Sequence, residues 1–204
     1  MTFYHGSIIP GITELGTNSL MHDESKTIIV YLTPNRAYVL FYIRDLEINH
    51  VTCGVTDEGF IRYDEQFPDQ LEKIYKGVNG YLYHCNEQEH FIMTKTRDVW
   101  VSEKRVAIKH FEYIPDVYVE LLKYEEKGDI KVIRYNELTN EQKKLYYEMA
   151  LQYIYKKGFA DCLSKKAMFW RDNFPQAWEY AVKHPEEKQA VLDAWEERRK
   201  ENSK

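Results

Sequence analysis

The residues best suited to chemistry in this sequence are a histidine–glycine pair near its start and tyrosines that follow at fixed spacing. His5 and Gly6 stand in the stretch FYHGS, and Tyr31 lies toward the end of the apolar run TIIVYL. Tyr42 follows Tyr31 by eleven positions, and Tyr38 precedes Tyr42 by four. Residues four apart share one face of a helix, where a flat ligand ring could stack on their side chains. A nearby histidine would supply a hydrogen-bonding group to the same ligand.

A strand and a strand–helix junction must position these side chains. Alternating apolar residues predict strands over 2–7 and 27–33, and a proline suits the first turn of a helix predicted over 34–47. Side chains at the end of a strand that leads into a helix commonly line a cleft. If the two strands are neighbours, His5 and Tyr31 share that cleft.

The remaining pattern divides the chain into a mixed part and a helical part. Further strands are predicted over 50–55, 59–65, 80–85, 89–95, 98–102, 105–114 and 130–135, and further helices over 68–77 and 115–128. The stretch 139–158 has the pattern of a helix that begins with the capping box TNEQ, and helical stretches follow over 167–184 and 186–204. We therefore predict an α+β fold, with a domain over 1–136 and a helical C-terminal extension over 137–204.

Two local signals refine this division. The residues TDEG, around Asp57–Gly59, predict a hairpin between two strands. Trp170, Trp178 and Trp195 have the spacing of side chains that pack helices on one another or on the β part.

Composition bounds the classes of function open to the chain. The formal net charge of −5 disfavours a generally basic nucleic-acid surface. No apolar run reaches the roughly 18 residues of a membrane span, and no signal-peptide pattern begins the sequence. Cys53, Cys85 and Cys162 are an odd number of cysteines without the spacing of a zinc site. We expect a cytoplasmic protein with no membrane segment, no disulfide and no bound metal.

FYHGS, VYLTPNRAYVLFY and an acidic strand near residue 100 together resemble the ADP-ribosyltransferase superfamily of the His-Tyr-Glu type. This superfamily includes the poly(ADP-ribose) polymerases and the rifamycin-modifying transferases. Its members carry a His-Gly in the first strand, a Tyr at the end of a later strand, and often a second Tyr eleven positions further on, as Tyr31 and Tyr42 do. Ala37 suits the small residue of the following helix, and the strand at 80–85 is similar to a core strand of the rifamycin-modifying enzymes. The resemblance covers about residues 2–110 and implies a split β-sheet core with short helices.

The resemblance implies NAD as co-substrate and gives each residue a role. His5 would hydrogen-bond a ribose hydroxyl of NAD, and the backbone of Gly6 would hold the nicotinamide amide, since glycine permits close approach. Tyr31 and Tyr42 would sandwich the nicotinamide ring, with Tyr38 beside them. ADP-ribose would pass to a protein, nucleic-acid or small-molecule acceptor, an activity that suits a bacterial effector, toxin or phage-defence factor.

The acidic residue that would stabilise the developing positive charge on the ribose has two candidates. Asp98 opens the strand DVWVS, as the family's acidic residue tends to do, whereas Glu103 is of the usual type and lies five positions on. Alternation puts the two on opposite faces of an unbroken strand, so at most one reaches the cleft. Weaker candidates are Glu87 and Glu89.

The sequence departs from the family at one further position. Many relatives carry a serine three residues before the second Tyr, and this chain has Val39 there. The corresponding hydrogen bond to nicotinamide would be absent, or Ser7 would supply it.

Other interpretations of the same residues stay open. His5 could be an ordinary strand histidine, and Tyr31 and Tyr42 could simply pack a helix against a sheet. The same cleft could hold NAD, ADP-ribose or a nucleotide without turnover, while the helical tail contacts a partner. An RNA 2′-phosphotransferase-like enzyme would share the fold and consume NAD, but the additional histidine and arginine residues of its basic cleft are not found here.

Overall fold

The chain folds into two compact units that differ in secondary structure. The computed structural model describes residues 1–21, 26–45 and 53–201. One unit comprises Met1–Glu65 with Gln70–Ile133, and the other comprises Gln66–Asp69 with Arg134–Lys204. Every strand of the described residues belongs to the first unit, and helices form the second. The fold is therefore α+β. None of its described helices is both long and apolar enough to span a membrane.

The elements are numbered in chain order. The strands are β1 (Thr2–Ser7), β2 (Glu14–Leu15), β3 (Ser19–Leu20), β4 (Ile28–Leu32), β5 (Cys53–Val55), β6 (Ile61–Asp64), β7 (Gly80–Asn86), β8 (Ile92–Met93), β9 (Trp100–Ser102), β10 (Val106–Ala107), β11 (His110–Ile114) and β12 (Ile130–Ile133). The α-helices are α1 (Arg36–Leu40), α2 (Gln70–Tyr75), α3 (Val117–Lys127), α4 (Asn140–Lys157), α5 (Lys165–Asn173), α6 (Pro175–Lys183) and α7 (Lys188–Glu201).

Two predicted elements are each broken into two. The strand predicted over 105–114 is wrong as a single element, because its first half, β10, pairs with β2 and its second half, β11, pairs with β7. The helical stretch over 167–184 is two helices, because Pro175 lacks the N–H that would continue α5 and instead begins α6. The two-residue strands β2 and β3 were not predicted, since such short segments show no alternation.

The helix predicted over 34–47 is also shorter than expected. The side chain of Asn35 accepts a hydrogen bond from the Tyr38 N–H, so α1 begins after Asn35. Beyond α1 the hydrogen bonds run to the third residue back instead of the fourth, as from the N–H of Ile43 to the carbonyl of Leu40. Positions 46 and 47 of this prediction lie outside the described residues, as do positions 50–52 of the strand predicted over 50–55.

Among the described residues, the first unit contains the two-stranded pair of β2 and β10 and three larger sheets. A central antiparallel sheet has the order β1–β7–β11, and a second has the order β3–β4–β9–β8. A bridge between Tyr4 and Thr33 joins β1 to the end of β4, with N···O distances of 2.8 and 3.2 Å. The third sheet has the order β12–β6–β5, and its antiparallel pair β5–β6 confirms the predicted hairpin.

Two glycines let the segment after α1 approach the central sheet. A Cβ atom added to Gly6 would lie 2.8 Å from both Cγ1 of Ile43 and the carbonyl oxygen of Val39. A Cβ added to Gly80 would come closer still to Cγ2 of Ile43. Ile43 is fully buried in this position. The glycine of the His-Gly pair is therefore required by backbone packing, independently of any ligand.

The opposite face of β1 packs on a separate apolar cluster. Phe3 is fully buried there together with Val30, Leu32 and Cys85. The ring of Phe3 meets the ring of Trp100 edge-on, with centroids 5.2 Å apart. This cluster holds β1, β4, β7 and β9 together through side-chain packing as well as backbone bonds.

The second unit confirms the predicted start of the tail and the burial of one of its three tryptophans. Thr139 Oγ1 accepts from the Gln142 N–H at 3.2 Å, and Gln142 Oε1 accepts from the Thr139 N–H at 2.9 Å, which completes the capping box. Gly158 ends α4 in the left-handed conformation. Trp170 is buried and its ring stacks on Phe174, with centroids 5.0 Å apart.

Gly6→Ala tests the packing of Ile43. We expect it to lower the free energy of unfolding by about 1–3 kcal/mol, because the new methyl group meets a backbone carbonyl that cannot move away. Urea denaturation followed by circular dichroism measures this change. Gly54→Ala in β5 is the matched control, since a Cβ there meets no described atom within 4 Å, and its effect should stay within about 1 kcal/mol. Equal effects from both substitutions would contradict the packing argument.

Candidate functional site

The candidate site lies where β1 and β4 diverge beyond their bridge, a place that we call the gap because no backbone bond joins the two described strands there. Alternate residues of an antiparallel strand direct their N–H and C=O groups to the same neighbour. Tyr4 directs both groups to Thr33, so Gly6 directs its own groups to the same side, where Tyr31 would be its partner. Instead, Nδ1 of His5 lies 2.9 Å from the carbonyl oxygen of Tyr31. The N–H and C=O of Gly6 therefore face the gap, and no described residue of β4 bonds to them.

His5 has one defined tautomer in this arrangement. A carbonyl oxygen only accepts hydrogen bonds, so Nδ1 of His5 carries the proton and donates it to Tyr31. Burial lowers the pKa of His5, and the bond to the carbonyl only partly offsets this effect. The imidazole is thus neutral near pH 7, with Nε2 as an acceptor that suits the hydroxyl group of a ribose.

The three predicted tyrosines come together beside this gap. Tyr42 donates from its hydroxyl to the hydroxyl of Tyr38 at 3.1 Å, and the two rings are perpendicular with centroids 5.5 Å apart. This contact confirms that they share a face. Tyr38 is 4% exposed whereas Tyr42 is 40% exposed, so Tyr42 offers the accessible ring. Burial raises the pKa of Tyr42, and the neighbouring phenol of Tyr31 adds to the increase.

Asp98 is linked to the tyrosines by hydrogen bonds of the Asn35 side chain. The Asn35 side chain donates from Nδ2 to Oδ2 of Asp98 at 3.1 Å, while its Oδ1 caps α1 at Tyr38. Burial is the main cause of the raised pKa of Tyr38, and the charge of Asp98 contributes further. Asp98 has a φ of 57°, a left-handed conformation that costs a non-glycine residue about 1–2 kcal/mol, although Asp tolerates it better than most. This conformation directs Asp98 to the N-terminus of α1.

Glu103 lies at the other end of β9. In the antiparallel register, Trp100 pairs with Leu32 and Ser102 pairs with Val30. The residues just before β9 therefore lie beside the C-terminal end of β4, and the residues just after β9 lie beside its N-terminal end. Glu103 is exposed in the turn after Ser102. Of the two acidic candidates, Asp98 is therefore the one that the structure brings to the tyrosines.

The remaining candidates have local roles. The Ser7 hydroxyl accepts a hydrogen bond from the Ile9 N–H at 3.1 Å. Val39, which replaces the family's serine, is buried beneath Gly6. Glu87 pairs with the N-terminal ammonium at 3.0 Å. None of these three contacts involves a tyrosine of the site.

Sequence reasoning missed two residues of the site. Asn35 could have been found, because an asparagine three residues before Tyr38 is a typical N-cap. Cys53 of β5 lies near Tyr38 and Tyr42, whose pKa values its charge would raise, and burial raises the pKa of its own thiol to about 12. No local pattern indicated Cys53, since it enters from a different sheet.

Among the described residues, the second unit contains one group with metal-ligand types. The ligand atoms of His184, Glu186 and Glu187 all lie within 4.8 Å of one another, on the turn before α7. Glu187 already accepts a hydrogen bond from the Tyr180 hydroxyl at 2.6 Å. These side chains are partly or fully exposed, and such groups commonly occur at surfaces without a metal.

The chain was compared with protein-family models, with curated proteins and with solved structures, and no match was found in any of the three. The geometry of the gap therefore carries the functional argument. It combines the N–H and C=O of Gly6, which bond to no described residue of β4, with a neutral imidazole, an accessible aromatic ring and a carboxylate.

The protonation of His5 makes stability depend on pH. Its pKa is lowered in the folded state from 6.5, so the unfolded chain binds the proton more tightly and stability falls as pH decreases below about 6.5. We expect His5→Asn to reduce this fall, because the asparagine amide keeps an N–H for the Tyr31 carbonyl without titrating. Urea denaturation of both proteins between pH 8 and pH 5 measures the difference. Other histidines contribute equally to both curves, and parallel curves would contradict the prediction.

Proposed function

We propose that this protein is an NAD-dependent ADP-ribosyltransferase that transfers ADP-ribose to an acceptor and releases nicotinamide. The observation that carries the proposal is the peptide group of Gly6, which faces the gap beside His5. A primary carboxamide such as that of nicotinamide offers an NH₂ group with two N–H donors and one C=O. One of these N–H groups and the C=O would pair with the C=O and N–H of Gly6, a backbone acceptor and donor that have no partner among the described residues of β4.

The neighbouring groups suit the rest of the nicotinamide riboside. The half-exposed ring of Tyr42, which has the Arg44 guanidinium 5.8 Å from its centroid, also provides aromatic surface on which the pyridinium ring can stack. Nε2 of His5 accepts from a ribose hydroxyl and so fixes the sugar relative to the amide. Rigid placement of both ends aligns the glycosidic bond for cleavage without a further loss of entropy in the transition state.

Asp98 is the residue that we assign to the developing charge. When nicotinamide leaves, positive charge appears at the ribose C1′, and a fixed carboxylate stabilises it most in a site that excludes water. Oδ2 of Asp98 is oriented by Asn35, and Oδ1 makes no hydrogen bond with another described residue. Asn35 thus positions Asp98 and α1 at once, which couples the carboxylate to the tyrosines.

A second function, binding of NAD or ADP-ribose without turnover, is favoured by one observation. Asp98 also serves a structural purpose through its bond to the helix-capping Asn35, and Glu103 lies at the opposite end of β9. A site in which the acidic residue only supports the fold would retain the amide and ribose contacts but lack the group that lowers the barrier. Such a protein would recognise the ligand and leave it intact.

Nicotinamide release from NAD tests the assignment of the site. We expect His5→Asn and Asp98→Asn each to reduce the rate by at least about 100-fold, the usual cost of losing one group that acts on the transition state. His5→Asn keeps the bond to the Tyr31 carbonyl and removes Nε2. A reduced rate of nicotinamide release in this variant would therefore report on contact with the ligand and not on the fold. Glu103→Gln is the control and should act like wild type. Full activity in Asp98→Asn with loss in Glu103→Gln would reverse the assignment of the acidic residue.

Thermal unfolding with NAD separates the two functions. In both cases NAD at about 100 times its Kd should stabilise the wild-type protein by about 2.7 kcal/mol, and His5→Asn should reduce that gain. Stabilisation with nicotinamide release supports the transferase, whereas stabilisation without release supports the binding protein. A chain that NAD neither stabilises nor reacts with would contradict both.

A further inference from the structure

Asp98, the acidic residue of the candidate site, lies in a tight turn whose backbone conformation does not favour it. The N–H of Val99 bonds to the carbonyl of Thr96 at 3.1 Å, so residues 96–99 form a four-residue turn with Asp98 at its third position. Asp98 has a positive φ there, and glycine is the residue that suits such a position best. A side chain held in this conformation persists only where the surrounding contacts maintain it.

The base of the turn is closed by Thr94. Its N–H donates to the carbonyl of Val99 at 2.9 Å, and its hydroxyl donates to the same carbonyl at 2.9 Å. The hydroxyl oxygen also accepts a hydrogen bond from the N–H of Thr96 at 3.1 Å. These bonds join the two ends of the turn to each other. The orientation of the turn relative to its neighbours is therefore left to its central residues, Arg97 and Asp98.

Arg97 anchors the turn on the hairpin of β5 and β6. Its Nη1 donates to the carbonyl of Thr56 at 3.0 Å and to the carbonyl of Asp57 at 2.5 Å. Both carbonyls belong to the connection between the two strands, where the Gly59 N–H bonds back to the Thr56 carbonyl at 3.0 Å. The donor is charged, which makes each bond stronger than one between neutral groups. One nitrogen thus holds the turn against a connection that has its own internal bond.

Asp98 anchors the same turn on the N-terminal cap of α1, through the side-chain amide of Asn35 at 3.1 Å. Adjacent residues of one turn therefore hold two different elements, the hairpin and α1. Loss of either anchor would let the turn rotate about the other, because the bonds at its base fix its ends and not its orientation. The direction of the Asp98 carboxylate consequently depends on Arg97, although Arg97 itself donates to backbone carbonyls of the hairpin.

We propose that Arg97 is a positioning residue that fixes the direction of the Asp98 carboxylate beside the tyrosines of the candidate site. Its effect on catalysis rests on the proposed transferase function, whereas the anchoring of Asp98 does not. A carboxylate stabilises a developing positive charge most when its direction is set before the reaction begins. The contribution of Arg97 is therefore made in the transition state and not in the binding of NAD.

A double-mutant cycle in nicotinamide release tests this role. We expect Arg97→Met to lower kcat about tenfold and to leave the KM for NAD within about twofold, because a misplaced group costs rate without weakening ground-state contacts. In an Asp98→Asn background the same substitution should change kcat less than about twofold, because no carboxylate remains to be positioned. Arg97→Lys should keep kcat within about threefold of wild type, since a single nitrogen makes both bonds and an ammonium offers three donors.

The side-chain amide of Asn35 reports the same coupling without any turnover. Its signals in a proton–nitrogen NMR correlation spectrum are assigned by their absence in Asn35→Ser, which keeps a helix-capping side chain. In Arg97→Met they should move toward their position in Asp98→Gly, where the bond to Asp98 is missing, and in Arg97→Lys they should stay. Arg62→Ala is the matched control and should leave them unchanged, since Arg62 of β6 bonds to Asp64 at 2.7 Å and not to the turn.

The outcomes separate the anchoring from the proposed catalysis. Support for the inference is movement of the Asn35 signals in Arg97→Met, together with a loss of kcat that disappears in the Asp98→Asn background. If the signals move but wild type releases no nicotinamide, the anchoring of Asp98 stands and the transferase function fails. Unmoved signals in Arg97→Met overturn the inference whatever the activity. A raised KM, or losses that multiply in the double variant, also overturns it, because Arg97 would then act directly on a ligand.

Discussion

The close packing of Ile43 against Gly6 and Gly80 is the constraint on which the site depends. It fixes the segment after α1 against β1 and β7, and with it the tyrosines that α1 and the following turn carry. Any side chain at either glycine would force these elements apart. A ligand in the gap would approach Gly6, and the segment that includes α1 already packs against the same glycine. One residue thus serves both the fold and the candidate site.

The site is polar because β1 diverges from β4, so that backbone groups of β1 no longer pair with β4 there. Two paired strands would satisfy each other's backbone groups, but here the imidazole of His5 takes the Tyr31 carbonyl that Gly6 would have bonded. A histidine suits this position because one ring nitrogen completes the backbone pairing and the other stays available. The strands consequently separate without leaving the Tyr31 carbonyl unsatisfied, and the N–H and C=O of Gly6 face the gap.

The central sheet separates charge from aromatic surface by the alternation of its strands. On one face, Arg36 of α1 binds Glu112 of β11, and the Tyr124 hydroxyl accepts from Arg36 at 2.7 Å. On the other face, uncharged aromatic residues continue outward from His5 and Ser7. An acidic protein can in this way carry a local surface without carboxylates, because alternation confines the carboxylate of β11 to the side that Arg36 contacts. Net charge alone therefore says little about that surface.

The sequence by itself determined the elements whose signals are local. The capping box at Thr139, the hairpin near Asp57–Gly59 and the shared face of Tyr38 and Tyr42 all follow from spacing over a few residues. Only the tertiary structure decided which distant groups meet, such as Asp98 with Asn35. Strand order and register set those contacts, and they depend on pairing across the chain, which no short window of sequence encodes. For the same reason the break within 105–114 was invisible to its alternating pattern.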